Sequence, residues 1–447
     1  MSTAASPSWS LVAAVILLLG SLVSAAFTYN AYLPVRGDRR LLIPSFFASW
    51  LTMELAGHHL LWQMVVSAGL VALGALHHVV GWLGLAVSGI SWIGLIVLIV
   101  QGRGSAQAMR DALSGVVTNW AGNRIAWWRL ITPMPFRHTA VRRVRNVEYA
   151  RAGGRRLRLD IYEPRTPGTR RPALMQIHGG AWIVGDKRDQ GVPMCTHMAA
   201  AGWVAFNVNY RLSPAATFPD HLIDLKRALV WIRAHADELG VDPDFIAVTG
   251  GSAGGHLTAL MALTANDPRY QPGFETANTT LQAAVPFYAI YDFTNRLGTH
   301  TRGFFTQILE PWVMKAFLKE EPERFREASP LDHLHADAPP FLVIHGDRDT
   351  LAPLADARLF VEELSRVSKS PVVYAELRGA QHAFDIFVSP RSVPVIEGVE
   401  RFLSAIHAAY TALVLRSSSS SDWTSPSTRL ASVATSSPES VSEPRSG

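Results

Sequence analysis

The sequence predicts an α/β architecture, a mostly parallel sheet covered by helices on both faces, preceded by a transmembrane helical segment. Two features carry that expectation. Between residues 135 and 410, apolar stretches of strand length alternate with stretches of helical spacing, a rhythm that buries a parallel sheet between helical layers. Ahead of them, the chain before residue 101 holds long runs without a charged side chain.

In the 135–410 region, residues 144–150 and 156–162 flank Gly153-Gly154 and read as a hairpin. Short apolar strands are expected at 173–177, 204–208, 245–249, 283–288, 341–344 and 372–377. Leu222, Leu225, Leu229 and Ile232 recur at helical spacing, and Gly240 can end that helix. Further helices are expected at 256–263, 353–367 and 395–407. Cys195 is the single cysteine, so the fold uses no internal disulfide, and its apolar neighbourhood predicts a buried thiol.

Residues 1–133 form the expected membrane segment, with helices at about 9–33, 60–76 and 80–100. His77-His78 followed by Gly81 can turn the chain between the last two. Residues 41–53 carry Pro44 and precede Glu54, and suit the membrane interface. A cleaved signal peptide is disfavoured because no positive residue precedes the first apolar run. Three spans put Arg36, Arg39 and Arg40 on the side of the arginine-rich region after residue 101. The expected location is therefore the cell membrane, multi-pass, with the 135–410 domain cytoplasmic. His58-His59 and His77-His78 read as polar helix ends, since adjacent residues point to different helix faces and each pair offers a metal or haem one ligand.

The formal charge is +5, and basic residues cluster at Arg137, Arg142, Arg143, Arg145, Arg151, Arg155, Arg156 and Arg158. They read either as a patch on anionic lipid head groups or as the solvated face of the hairpin. Nucleic acid is not an expected partner. Residues 415–447 are dominated by Ser, Thr and Pro and are expected to be disordered.

The chemistry concentrates in three loops. Gly250-Gly251-Ser252-Ala253-Gly254 stands between a strand and a helix, the setting of a nucleophile elbow with Ser252 at its tip. His178-Gly179-Gly180-Ala181-Trp182 follows the 173–177 strand, where backbone N–H groups of Gly179, Gly180 and Ala181, with that of Ala253, can receive an oxyanion. Trp182 either lines a substrate pocket or packs in the core. A serine hydroxyl needs a base, and the base an orienting acid. His382 follows the 372–377 strand and is the expected base; Asp349 follows the 341–344 strand as the acid, with Asp347 as its alternative. His178 and His345 read as structural. No metal and no organic cofactor are required.

With these motifs and Asn209-Tyr210-Arg211-Leu212-Ser213-Pro214, the chain resembles the α/β-hydrolase superfamily. It is similar there to carboxylesterases related to hormone-sensitive lipase and to the esterase/lipase group that includes kynurenine formamidase. The resemblance spans about 170–390 and implies a Ser252, His382, Asp349 triad, Asp349 being the aspartate of an Asp-x-x-x-Pro pattern. It also implies oxyanion donors at Gly180, Ala181 and Ala253. The expected activity is hydrolysis of ester or lipid-like substrates beside membrane lipids. Amide hydrolysis or acyl transfer is the alternative, and a catalytically dead binding protein the remote one. An insertion at about 293–330 stands where such enzymes place a lid; its apolar residues either pack on the domain or shape an acyl pocket, Trp312 and Phe317 among them.

Overall fold

The apolar runs at the front of the chain fold into helices α1 (Trp9–Tyr32), α2 (Leu42–Glu54), α3 (Ala56–Ala72) and α4 (Val79–Arg103), followed by the amphipathic α5 (Ser105–Leu113). The computed structural model describes residues 9–36, 40–117, 120, 132–134, 138–300 and 302–419. Helices α1 and α4 are each long and apolar enough to cross a membrane. Their contacts advance in step: Ser10 with His78, Ser21 with Ser88, Thr28 with Ser91 and the Tyr32 hydroxyl with the Gly94 carbonyl. Helices touching in that order are parallel, so the chain must return between them. It returns through α3, which is bent by 85° from α2. The helix expected at 60–76 therefore begins and ends about one turn earlier, at Ala56 and Ala72. Met53 and Ala56, at the bend, pack with Ala31, Leu95 and Leu98 near the C-terminal ends of α1 and α4.

The strands join in one sheet of order β1-β2-β4-β3-β5-β6-β7-β8. Strands β1 (Val141–Ala152) and β2 (Arg155–Pro164) form the expected antiparallel hairpin, and β2 pairs antiparallel with β4 (Val204–Val208). Beyond it β3 (Arg171–Ile177), β5 (Val241–Gly251), β6 (Ala283–Phe287), β7 (Phe341–Gly346) and β8 (Val372–Leu377) are joined by parallel pairings. The connecting helices are α6 (Val192–Ala200), α7 (Asp220–Ala234), α8 (Ala236–Leu239), α9 (Ala253–Leu263), α10 (Arg302–Phe304), α11 (Pro322–Glu327) and α12 (Leu354–Val367), with α13 (Ser392–Ser419) closing the fold. Alternate residues of β3 face opposite layers: Met175 and Ile177 share a core with Leu222, Leu257 and Phe360, while Leu174 joins Met194 and Phe402. Cover on both faces is why the central strands read as unbroken apolar runs.

Several expectations shift. Four of the seven described arginines of the cluster meet carboxylates: Arg142 pairs with Glu163, Arg143 with Asp160, and Arg151 and Arg156 with Glu148. That favours the hairpin-face reading over a bare cationic patch. Helix α13 runs on to Ser419, so the segment expected to be disordered from 415 starts as helix. The rest of that tail, with Arg39 and Arg137, lies outside the described residues. In the 293–330 insertion Phe305, Leu309, Val313 and Met314 are buried, whereas Trp312 and Phe317 are 43% and 58% exposed. Cys195 is buried, and burial pushes its thiol up.

Candidate active site

Strand β5 ends at Gly251 and α9 begins at Ala253, leaving Ser252 alone in the turn with φ 58° and ψ −121°. An L-residue holds that conformation only where its surroundings fix it. The Ser252 N–H donates to the Phe287 carbonyl at 3.0 Å, and its carbonyl accepts from the His256 N–H at 2.9 Å. The flanking glycines are sterically required. A Cβ on Gly250 would lie 2.6 Å from the Gly254 carbonyl oxygen, and one on Gly254 would lie 2.3 Å from that of Ile177.

The loop after β3 lies against this turn. Gly180 has φ 116°, and Ala181 and Trp182 follow at 51° and 60°. The N–H groups of Ile183 and Val184 close the loop onto the Gly180 carbonyl. Residues 209–214 brace it: Tyr210 stacks on His178 and donates to the His178 carbonyl, and the Ser213 N–H donates to the Trp182 carbonyl. Arg211 anchors that brace by donating twice to the buried Asp224 of α7, at 2.7 and 2.8 Å.

Two expectations for this loop need correction. The Gly179 N–H is committed to Gln190 Oε1 at 2.8 Å, which removes it from the oxyanion donors. Trp182 is 1% exposed and sits edge-on to His256 and Phe293, so it packs in the core rather than lining a pocket.

His382 Nδ1 lies 2.7 Å from Asp349 Oδ2. Asp349 Oδ1 accepts from the Leu351 and Ala352 N–H groups, each at 2.8 Å. Burial alone would raise the Asp349 carboxyl. The His382 charge and hydrogen bonds from His345 and His382 outweigh it and hold Asp349 well below the usual carboxylate range. Asp347 turns elsewhere, accepting from the Gly379 N–H at 2.6 Å, so of the two candidates only Asp349 meets His382.

Three residues that sequence reasoning missed complete the surroundings. Gln381 Oε1 accepts from the Thr350 and His382 N–H groups, both at 2.9 Å, and so bridges the two loops. The Tyr288 ring stands 4.5 Å from that of His382, and its hydroxyl donates to Asp385. A Cβ on Gly251 would lie 2.4 Å from the same hydroxyl, so Tyr288 touches both the serine turn and the histidine. Burial, then the Asp385 charge, push the Tyr288 phenol well above its usual range and keep it a donor. Its place just past the end of β6, where parallel strands present ligand-facing groups, was a usable signal; Gln381 and Asp385 offered none. Among the described residues no cluster of His, Cys, Asp and Glu has the arrangement of a metal site.

Known proteins resemble this arrangement at several levels. A family model described as BD-FAE matches residues 159–364. The probable carboxylic ester hydrolase LipM of Mycobacterium tuberculosis is 43% identical over 415 residues, covering 88% of this chain and 93% of LipM. Esterase LipQ of the same organism is 45% identical over 257 residues, covering 57% of this chain and 61% of LipQ. A truncated carbohydrate esterase from gut microbiota superposes with a TM-score of 0.51 at 22% identity, over 58% of this chain and 96% of that one, a likeness of fold. The LipM match covers more of the chain than residues 138–447 contain, so it extends into the N-terminal helices.

Proposed function

The chain belongs to the carboxylic ester hydrolases of the α/β-hydrolase superfamily, and from that premise we propose that Ser252, His382 and Asp349 form its catalytic triad. The observation that carries this is the 2.7 Å contact of His382 Nδ1 with the ionised Asp349, beside a serine turn that shares Tyr288 with His382. With Nδ1 engaged by Asp349, Nε2 is the His382 nitrogen left to act on Ser252. Ser252 Oγ attacks the ester carbonyl as Nε2 takes its proton, and the imidazolium returns that proton to the departing alcohol. Water, deprotonated by the same nitrogen, then attacks the acyl-enzyme, and the imidazolium returns that proton to Ser252 Oγ as the acid leaves.

Gly180, Ala181 and Ala253 supply the oxyanion N–H groups, each worth about 3 kcal/mol in the transition state. Ala253 opens α9, so the positive end of that helix adds to the stabilisation. A fluorophosphonate probe should label the intact protein, and Ser252→Ala should lose both labelling and ester turnover. Labelling that survives the substitution would overturn the triad.

The same reading makes residues 1–133 a membrane anchor crossing through α1, α3 and α4, with 135–410 catalytic and 415–447 a tail. Parallel α1 and α4 support three crossings, and α2 lies across the end from which the hydrolase domain emerges. Arg36, Arg40 and Arg103 share that end, and by the positive-inside rule this supports a cytoplasmic catalytic domain. Protease protection in sealed vesicles of known orientation tests this; digestion of the catalytic domain from outside intact cells would reverse it. Exposed Trp312 and Phe317, in a protein with such an anchor, favour lipophilic esters as substrates.

A further inference from the structure

We infer that α2 is part of the active site, with Trp50 and Glu54 as positioning residues that hold the loop carrying His382. The inference rests on the reading of His382 as the base. Phe46, Trp50 and Glu54 are spaced four apart, so they form one face of α2. That face lies along the 378–391 loop. The Phe46 ring meets the His382 ring edge-on at 6.2 Å. Trp50 Nε1 donates to the Ala383 carbonyl at 2.8 Å, and its ring stacks on Phe387 at 5.0 Å. Glu54 Oε1 accepts from Arg391 Nε at 3.0 Å, and Oε2 accepts from the Ser389 hydroxyl at 2.6 Å. Arg391 Nη1 donates to the Arg378 carbonyl at 3.0 Å, which ties the end of the loop back to its start.

Two features give these contacts more than an anchoring role. Ala383, directly after His382, has φ 62°, a conformation an alanine keeps only where neighbours enforce it. The hydrogen bond from Trp50 falls on the carbonyl of that residue. Glu54 and Arg391 are both almost fully buried, 1% and 2% exposed at their side chains. Apolar packing would join two segments at lower desolvation cost, whereas a buried hydrogen-bonded pair fixes one geometry. The acid loop is braced from the same side. Arg348, next to Asp349, lies over the Tyr32 ring at 5.4 Å and donates to the Ala31 carbonyl at 3.4 Å, at the end of α1. The loops bearing Asp349 and His382 are thus both held by the N-terminal helices.

The test uses the full chain in nanodiscs, with p-nitrophenyl butyrate kinetics and thermal melting. Trp50→Phe keeps the ring on Phe387 and removes only the N–H donor; Glu54→Gln keeps the shape and removes the charge. Displacing a base by a fraction of an ångström costs rate rather than binding, so kcat should fall about tenfold or more at nearly constant KM. The fluorophosphonate labelling rate should fall in parallel while melting shows folded protein. Folded variants with kcat within about twofold of the parent, or a loss carried by KM alone, would overturn the inference. If Glu54→Gln does not fold, Trp50→Phe decides by the same criteria. His382→Ala is run alongside: if it retains turnover, the base assignment fails, an outcome separate from any result at α2.

Discussion

Gly179 and Ser252 stand so close that a Cβ on Gly179 would lie 3.1 Å from the Ser252 Cβ and 2.7 Å from the Gly251 carbonyl oxygen. The nearer atom is backbone, so it cannot step aside as a flexible side chain would. Gly179→Ala should push the oxyanion loop off the serine turn. Expected is a loss of about ten- to a hundredfold in kcat/KM, with a stability cost of about 1–3 kcal/mol. Ester kinetics and guanidinium unfolding measure the two separately.

The two aspartates of the 347–349 turn should respond differently. Asp349→Asn leaves the shape but loses the charge that fixes the His382 tautomer, and kcat should drop by about three to four orders of magnitude. Asp347→Asn keeps an acceptor oxygen for the Gly379 N–H and should stay within about tenfold of the parent. A reversed order of effects would exchange their roles.

Two buried histidines contribute to the acid side of the stability profile. Burial lowers His221 to about 4 and His256 to about 3, from an ordinary 6.5. His256 Nε2 bonds the Ala328 carbonyl at 2.7 Å, and Nδ1 is buried without a hydrogen-bond partner among the described residues, as suits a neutral ring. Below 6.5 the unfolded chain gains protons at both sites that the folded chain refuses. Their stabilisation is therefore complete above 6.5 and declines as pH falls toward 4, by about 1.4 kcal/mol per pH unit for each histidine. His256→Gln keeps a donor for Ala328 and should flatten the slope by one proton's worth. Urea midpoints across pH 4.5 to 7 would show whether it does.

Trp312 and Phe317 are the large exposed apolar side chains in the middle of the insertion. Replacing both with Ala should lower kcat/KM for long-chain esters by about tenfold more than for acetate esters. A chain-length series gives the ratio, and equal losses on both would remove the insertion from substrate selection.

The sheet was legible because burial on both faces writes each central strand as a short apolar run, as at Leu342, Val343 and Ile344. The serine turn was legible because only small residues fit at 250 and 254. What escaped depends on backbone angles and distant partners. Positive φ at Trp182 turns its indole into the core, and no residue pattern encodes that angle. The Gly179 donor is taken by Gln190, eleven positions on and outside any motif. Asp347 and Asp349 differ only in which way a tight turn aims each carboxylate. Phe46, Trp50 and Glu54 share a face whose counterpart lies more than 300 residues later in the chain.

The seam between α1 and α4 has a mechanical consequence. Ser21 with Ser88 and Thr28 with Ser91 lock the register of the two helices, and Gly84 meets the Leu18 backbone with no room for a Cβ. A pair pinned at successive turns cannot slide. If the pair spans a bilayer as proposed, one thinner than its apolar length would make it tilt as one body. The lever arm of that tilt ends at Tyr32 and Gln101. On that proposed reading, lipid thickness would become a mechanical input at Arg348 and Gly379, which lie against those ends.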